Sequence, residues 1–357
     1  MSAHRPLRPI AALLAVITVV GTGCGGSGTS GSGVATLTVY SPSGLGAWYT
    51  SRFEKFTEQT GTKVTLFEAG SGEVVSRVNS PAVWQQGDKE PVPPADLLVT
   101  LPPFIQRAQE AGLLQASGVD TTGISRDFIG PGDVYVPIVK TALCFIANPA
   151  VTPLPATWDD LLAPELKGKL QYSTPGEAGD GTALLLLLQQ LMGKQGALDY
   201  LARLQTNNVG PSTSTGSLQP KVDSGELLVA NGDVQMNLAS IKDDGSTFTV
   251  FFPAMPGGLR TTISLAYVAG VTAGSQQPEA AKKLLAFLLS EESQKSVFTE
   301  AHGIPARDAI AKSMAAAGDG MTPSNVLDGV TLWTPNWDAV LAELDADLDA
   351  YKKATGS

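Results

Sequence analysis

Histidine is nearly missing from this chain of 357 residues, which has only His4 and His302. Cysteine is as scarce: Cys24 and Cys144 are far apart, and no CxxC pair or Cys/His cluster exists. The ligand spacing of a structural zinc site is therefore absent. With one histidine beyond the N-terminal segment, a Ser/His/Asp triad would have to run through His302, and no GxSxG turn supplies its serine. There is no GxxxxGK[ST], and no GxGxxG followed by the acid of a dinucleotide site. Charged residues are 16% of the chain and lean one way, to a net charge of −10. An acidic body lacks the basic face that nucleic acid requires. Charge alone would not dock it on an anionic membrane either.

What is present begins with an address. Residues 1–23 carry a basic start (Arg5, Arg8), an apolar run from Ile10 to Val20, and small residues before Cys24. The run is too short to span a bilayer, and the layout is that of a secretory signal peptide. Gly21-Thr22-Gly23-Cys24 resembles a bacterial lipobox, with Gly21 where that pattern usually has Leu. The expectation is a lipidated Cys24, with residues 24–35, rich in Gly and Ser, as a flexible tether to the membrane. Cys144, inside ALCFIA, reads as a small buried hydrophobe with no disulfide partner if Cys24 carries lipid.

From Thr36 onward, short apolar runs alternate with helical stretches. Strands are predicted at 36–40, 63–70, 95–102 and 247–253, and helices at 45–59, 104–111, 182–192, 197–205, 280–289, 291–301 and 337–353, with a short one ending at Val78. Residues 80–94, rich in proline and polar groups, read as a surface loop. This alternation implies parallel strands covered by helices on both faces. Two apolar β-branched runs, 134–149 and 263–274, read as an outward and a return crossover between lobes. The expected organisation is an α/β chain of two lobes, residues 36–140 with 263–357 and residues 141–262, with a ligand cleft between them.

Four loops rich in Gly, Ser and Thr lie at strand–helix junctions: 41–44, 70–73, 173–182 and 212–216. Helix N-termini present free N–H groups, and hydroxyls add donors without charge, so such loops suit an oxyanion. The same residues also serve as ordinary caps and turns. The candidate anion-binding residues are Ser41, Ser43, Ser71, Gly72, Thr182, Ser214 and Thr215. Glu73, Glu177 and Asp180 lie among them as candidates for a ligand ammonium, with Tyr267 alongside. Tyr40 and Tyr172, at strand ends, could stack on a cation or pack in the core.

The stretches GSGEVVSRV (70–78), LLVTLPPFIQRA (97–108), GKLQYSTPGEAGDGTA (168–183), LQTNNVGPSTSTGSLQPKV (204–222) and LLVANGDVQMNLASIKDDG (227–245) go further. They resemble the substrate-binding proteins of 2-aminoethylphosphonate importers, within the bacterial extracellular solute-binding superfamily of type II periplasmic-binding fold. The resemblance implies a monomeric, non-enzymatic binding protein that needs no cofactor and serves an ABC permease. It implies a hydroxyl-rich anion site with an acidic or aromatic partner for the amine. Ferric-iron relatives use adjacent tyrosines, and the corresponding 237–244 stretch here has none. Another phosphonate, a phosphate ester, a polyamine or a metal stays open as ligand, as does an exported phosphonate or phosphate hydrolase.

Overall fold

The computed structural model describes residues 35–81, 93–317 and 320–356. The leader, Cys24 and most of the 80–94 loop lie outside the described residues.

The chain opens with β1 (Thr36–Pro42), α1 (Gly46–Thr60), β2 (Lys63–Ala69), α2 (Ser71–Asn79), β3 (Leu97–Thr100), α3 (Phe104–Glu110) and β4 (Leu114–Gln115). Helix α1 buries Trp48, Tyr49, Phe53 and Phe56 on one side, and Gly61 ends it in the left-handed conformation at φ 72°. Next come β5 (Tyr135–Ala147), β6 (Leu170–Gln171), α4 (Gly179–Leu204), α5 (Gln219–Asp223), β7 (Val229–Asp233), α6 (Val234–Asp243) and β8 (Thr249–Phe251). Helix α4 joins two predicted helices into one element, interrupted at Gly193 where φ is 73°. The chain closes with β9 (Thr261–Thr272), α7 (Pro278–Leu288), α8 (Glu291–Thr299), β10 (Ile304–Pro305), α9 (Asp308–Ala317), α10 (Pro323–Val326), β11 (Thr331–Trp333) and α11 (Trp337–Thr355).

The sheet order is β2-β1-β3-β9-β5-β7-β6, with β4, β8, β10 and β11 at its sides. The sheet is mixed, within the expected mixed or parallel arrangement of an α/β fold. Strands β2, β1 and β3 are parallel, as are β6 and β7, but β9 and β5 stand between these groups and run antiparallel to their neighbours. The reason lies in the two long apolar runs. Strand β5 pairs with β9 from Tyr135 to Ala142 and then with β7 from Leu143 to Ala147. Strand β9 pairs with β3 through its second half. A strand that leaves one group and another that returns must point in opposite directions.

Both runs are buried along nearly their whole length, so they read as continuous apolar stretches and not as alternating ones. Leu97, Leu98, Ile138, Leu143, Leu184, Leu185 and Leu265 lie in the core they help to form. The edge strand β2 is half exposed.

Candidate functional site

The C-terminal ends of β1, β2 and β3 meet the loop after β6 and the loop 212–216 around a narrow crevice. Its cavity volume is small, about 20 Å³. Ligands of open α/β sheets bind at such strand ends. Ser43, Ser71, Asp180, Ser214, Thr215 and Tyr267 line it, with Gly70, Gly216 and Met236. Five separate chain segments thus bring six of the predicted residues to one cavity.

Two helices begin at its wall. Gly70 precedes α2 and Ala178 precedes α4, both in extended conformation and without a side-chain cap. Their first-turn N–H groups therefore have no capping side chain, and each helix end carries partial positive charge. Glycine is required at position 70. A Cβ there would lie 2.4 Å from the Thr213 carbonyl oxygen, so only a bare backbone lets α2 approach the 212–216 loop. Among the described residues, no protein group hydrogen-bonds to the hydroxyls of Ser43, Ser71 or Ser214, which leaves three donors for a ligand. The Thr215 hydroxyl donates to Ser173 Oγ at 3.0 Å.

The acidic side of the crevice is Asp180, in the first turn of α4 and only 4% exposed. Its Oδ1 is buried with no hydrogen-bond partner. Burial, and then the charge of Asp233, push its carboxyl well above the usual range. Thr215 and Asp180's own backbone N–H oppose this only in part. Asp233 lies at the end of β7, capping α6, and its carboxylate is fully engaged. Oδ1 accepts from Thr141 Oγ1 at 2.9 Å and from the Met236 N–H at 3.0 Å. Oδ2 accepts from the Tyr267 hydroxyl at 3.1 Å, which also lies 3.2 Å from the Ser43 carbonyl. Burial raises the Asp233 carboxyl too, against the pull of these donors. The same burial and the two carboxylates keep Tyr267 a neutral phenol.

The other predicted residues lie elsewhere. Ser41 is fully buried; its hydroxyl lies 2.9 Å from the Pro42 carbonyl and 3.1 Å from the Tyr49 hydroxyl. The Thr182 hydroxyl donates to the Ala178 carbonyl and accepts from the Gly176 N–H, both at 2.9 Å, so it shapes the loop from inside. Gly72, Glu73 and Glu177 line a wider outer groove with Phe104, Arg107 and Asp345. There Glu73 pairs with Arg77, one helical turn on, at 3.2 Å. Tyr172 bonds Gln205 and Tyr351 in the interior, and Tyr40 donates to the Pro93 carbonyl.

Sequence reasoning missed Asp233. Its segment, Asn-Gly-Asp, reads as a turn, yet it is the end of a buried strand. The available signal was an Asp directly before an apolar helical stretch, an N-cap position. Cys144 sits behind the site, fully buried, with a thiol pushed well up by desolvation. Among the described residues, no cluster of three metal-binding side chains exists.

Comparison with known proteins places this geometry. The family described as bacterial extracellular solute-binding protein matches residues 37–303. The "Putative 2-aminoethylphosphonate-binding periplasmic protein" of Salmonella typhimurium is 41% identical over 329 residues, covering 90% of this chain and 93% of its own. Among solved structures, the periplasmic binding protein P5PA aligns at a TM-score of 0.73 and 22% identity, over 90% of this chain and 99% of its own. A periplasmic thiamin-binding protein aligns at 0.70 and 18% identity, over 90% and 96%. At these identities the structures speak to the fold, that of the type II periplasmic-binding proteins.

Proposed function

The chain belongs to the bacterial extracellular solute-binding proteins, and from that premise we propose that it captures 2-aminoethylphosphonate and hands it to an ABC-type permease. Relatives and fold are those of binding proteins and not of enzymes, so the solute leaves unchanged. One observation carries the ligand: the crevice brings Asp180, whose Oδ1 has no hydrogen-bond partner, together with the open hydroxyls of Ser43, Ser71 and Ser214. The proposed solute is negative at one end and positive at the other. Its phosphonate would take the hydroxyls and the N-terminal ends of α2 and α4, and its ammonium would lie against Asp180. The name of the Salmonella relative supports the same ligand.

In this reading the two lobes, residues 36–140 with 263–357 and residues 141–262, close over the solute with β5 and β9 as connectors. The leader is removed, Cys24 carries lipid, and residues 24–35 tether a monomer to the outer face of the cell membrane. A Cys24→Ser variant would then move from the membrane fraction to the soluble one.

Titration calorimetry tests the ligand. One 2-aminoethylphosphonate per chain is expected, at micromolar affinity or tighter, about −8 kcal/mol or better. Strong heat from inorganic phosphate or a sugar phosphate, with none from the aminophosphonate, would replace the ligand and keep the fold's role.

A further inference from the structure

We infer that Asp180 meets the ligand as a carboxylic acid and surrenders its proton to solvent as the ligand's ammonium settles against Oδ1, while Asp233 stays ionised beside it throughout. The ammonium half of this statement rests on the proposed ligand; the placement of the proton does not.

The two acids are treated differently by their surroundings. Asp233 has three donors on its two oxygens, from Thr141, Met236 and Tyr267, and sits at the positive end of α6. Such a shell holds a carboxylate as an anion. Asp180 is as deeply buried, and its Oδ1 has no partner. Among the described residues, no lysine, arginine or histidine forms an ion pair with either acid. The remaining titratable groups around the pair are Tyr267 on β9, Cys144 on β5 and, beyond Tyr267, Tyr49 on α1. Burial raises all three, so all are neutral near pH 7 and none supplies positive charge. Two adjacent buried carboxylates without a cation cannot both ionise at ordinary cost. The pair retains one proton, and the acid with the weaker set of donors, whose Oδ1 has none, keeps it.

The exchange balances. The O–H bond of Asp180 breaks, its proton goes to water, and an ammonium–carboxylate contact replaces it. The charge summed over the two acids and the ammonium is unchanged, so the buried pair never carries an uncompensated second charge, and the phosphonate's own charge falls on the hydroxyl side. The device also sorts ligands by class. An anion without an amine can fill the hydroxyl side but leaves the Asp180 proton in place. Only an amine-bearing anion draws the proton off and gains a charge-assisted contact in return.

The test reads Asp180 directly. In the full chain labelled with ¹³C at the aspartate carboxyl carbons, the Asp180 signal is assigned by its loss in Asp180→Asn. That variant is isosteric with the neutral acid and is expected to fold; assigning Asp233 through Asp233→Asn gives a second route by elimination. Near neutral pH the ligand-free signal should be that of a protonated acid. Excess 2-aminoethylphosphonate should move it to the ionised position, and methylphosphonate should not. Calorimetry in buffers of different ionisation enthalpy should show one more proton released with the aminophosphonate than with methylphosphonate. An ionised Asp180 in the ligand-free protein, or a response at Asp233 instead, overturns the inference. A protonated Asp180 with no heat from the aminophosphonate sinks the ligand and leaves the proton where it is placed; an ionised Asp180 with strong heat does the reverse.

Discussion

The backbone N–H of Gly72 donates to the carbonyl oxygen of Glu177 at 2.9 Å, joining the first turn of α2 to the loop that precedes α4. Both segments line the outer groove. A Cβ on Gly72 would stand 3.0 Å from that carbonyl and 3.1 Å from both the Gly176 carbonyl and the Phe104 ring. Gly72→Val should therefore push α2 and the loop before α4 apart. The expected cost is about 1–3 kcal/mol of binding free energy, the usual range for overpacking. Calorimetry checks it, and unchanged affinity would show that the contact does not shape the binding-competent form.

Asp180→Asn separates affinity from stability. The variant replaces a buried acid that the folded chain keeps protonated while the unfolded chain ionises it, so near neutral pH its melting temperature should equal or exceed that of the parent. Ligand binding should weaken by about 2–5 kcal/mol, the usual loss when one partner of a buried charged pair is removed. That is roughly thirtyfold to several-thousandfold in Kd. Parent-like affinity in a folded variant would move the ammonium site elsewhere.

The pH dependence of ligand-free stability has a definite sign. Burial first, and Asp233 second, raise the Asp180 carboxyl above its unfolded value. Between about pH 4 and the raised value, the folded protein holds a proton that the unfolded chain has lost. In that window the contribution of this group to stability falls as pH rises. The melting curve of the parent should lose ground to Asp180→Asn from about pH 4 upward, and parallel curves would contradict the assigned direction.

Tyr267→Phe removes the donor to Asp233 Oδ2 and the hydroxyl beside the Ser43 carbonyl. An orphaned buried acceptor costs about 1–3 kcal/mol. Urea unfolding should show that loss at neutral pH. It should shrink in acid, where Asp233 takes up a proton of its own and can donate to the Ser43 side.

Much of this architecture was legible because burial writes itself into sequence. The runs that became β5 and β9 are apolar and β-branched from end to end, and Gly61 marked the stop of α1. The site was legible at the level of loops and not of side chains. Ser41 and Ser43 look equivalent in sequence, yet Ser41 still belongs to β1 and points into the interior, whereas the chain has turned before Ser43. Asp180 and Thr182 share one helical turn, but residues two apart face different sides of a helix, so one lines the crevice and the other ties up the loop. Asp233 stayed hidden because its partners, Thr141 and Tyr267, come from strands remote in sequence.

The long strands that link the two parallel groups carry a temporal consequence. Leu97 must find Val271, and Tyr135 must find Gly270, before the middle of the sheet exists. Pairings so distant along the chain are slow to form. A polypeptide still emerging from the ribosome lacks β9 and cannot complete the centre of its sheet until about three quarters of the chain has been made.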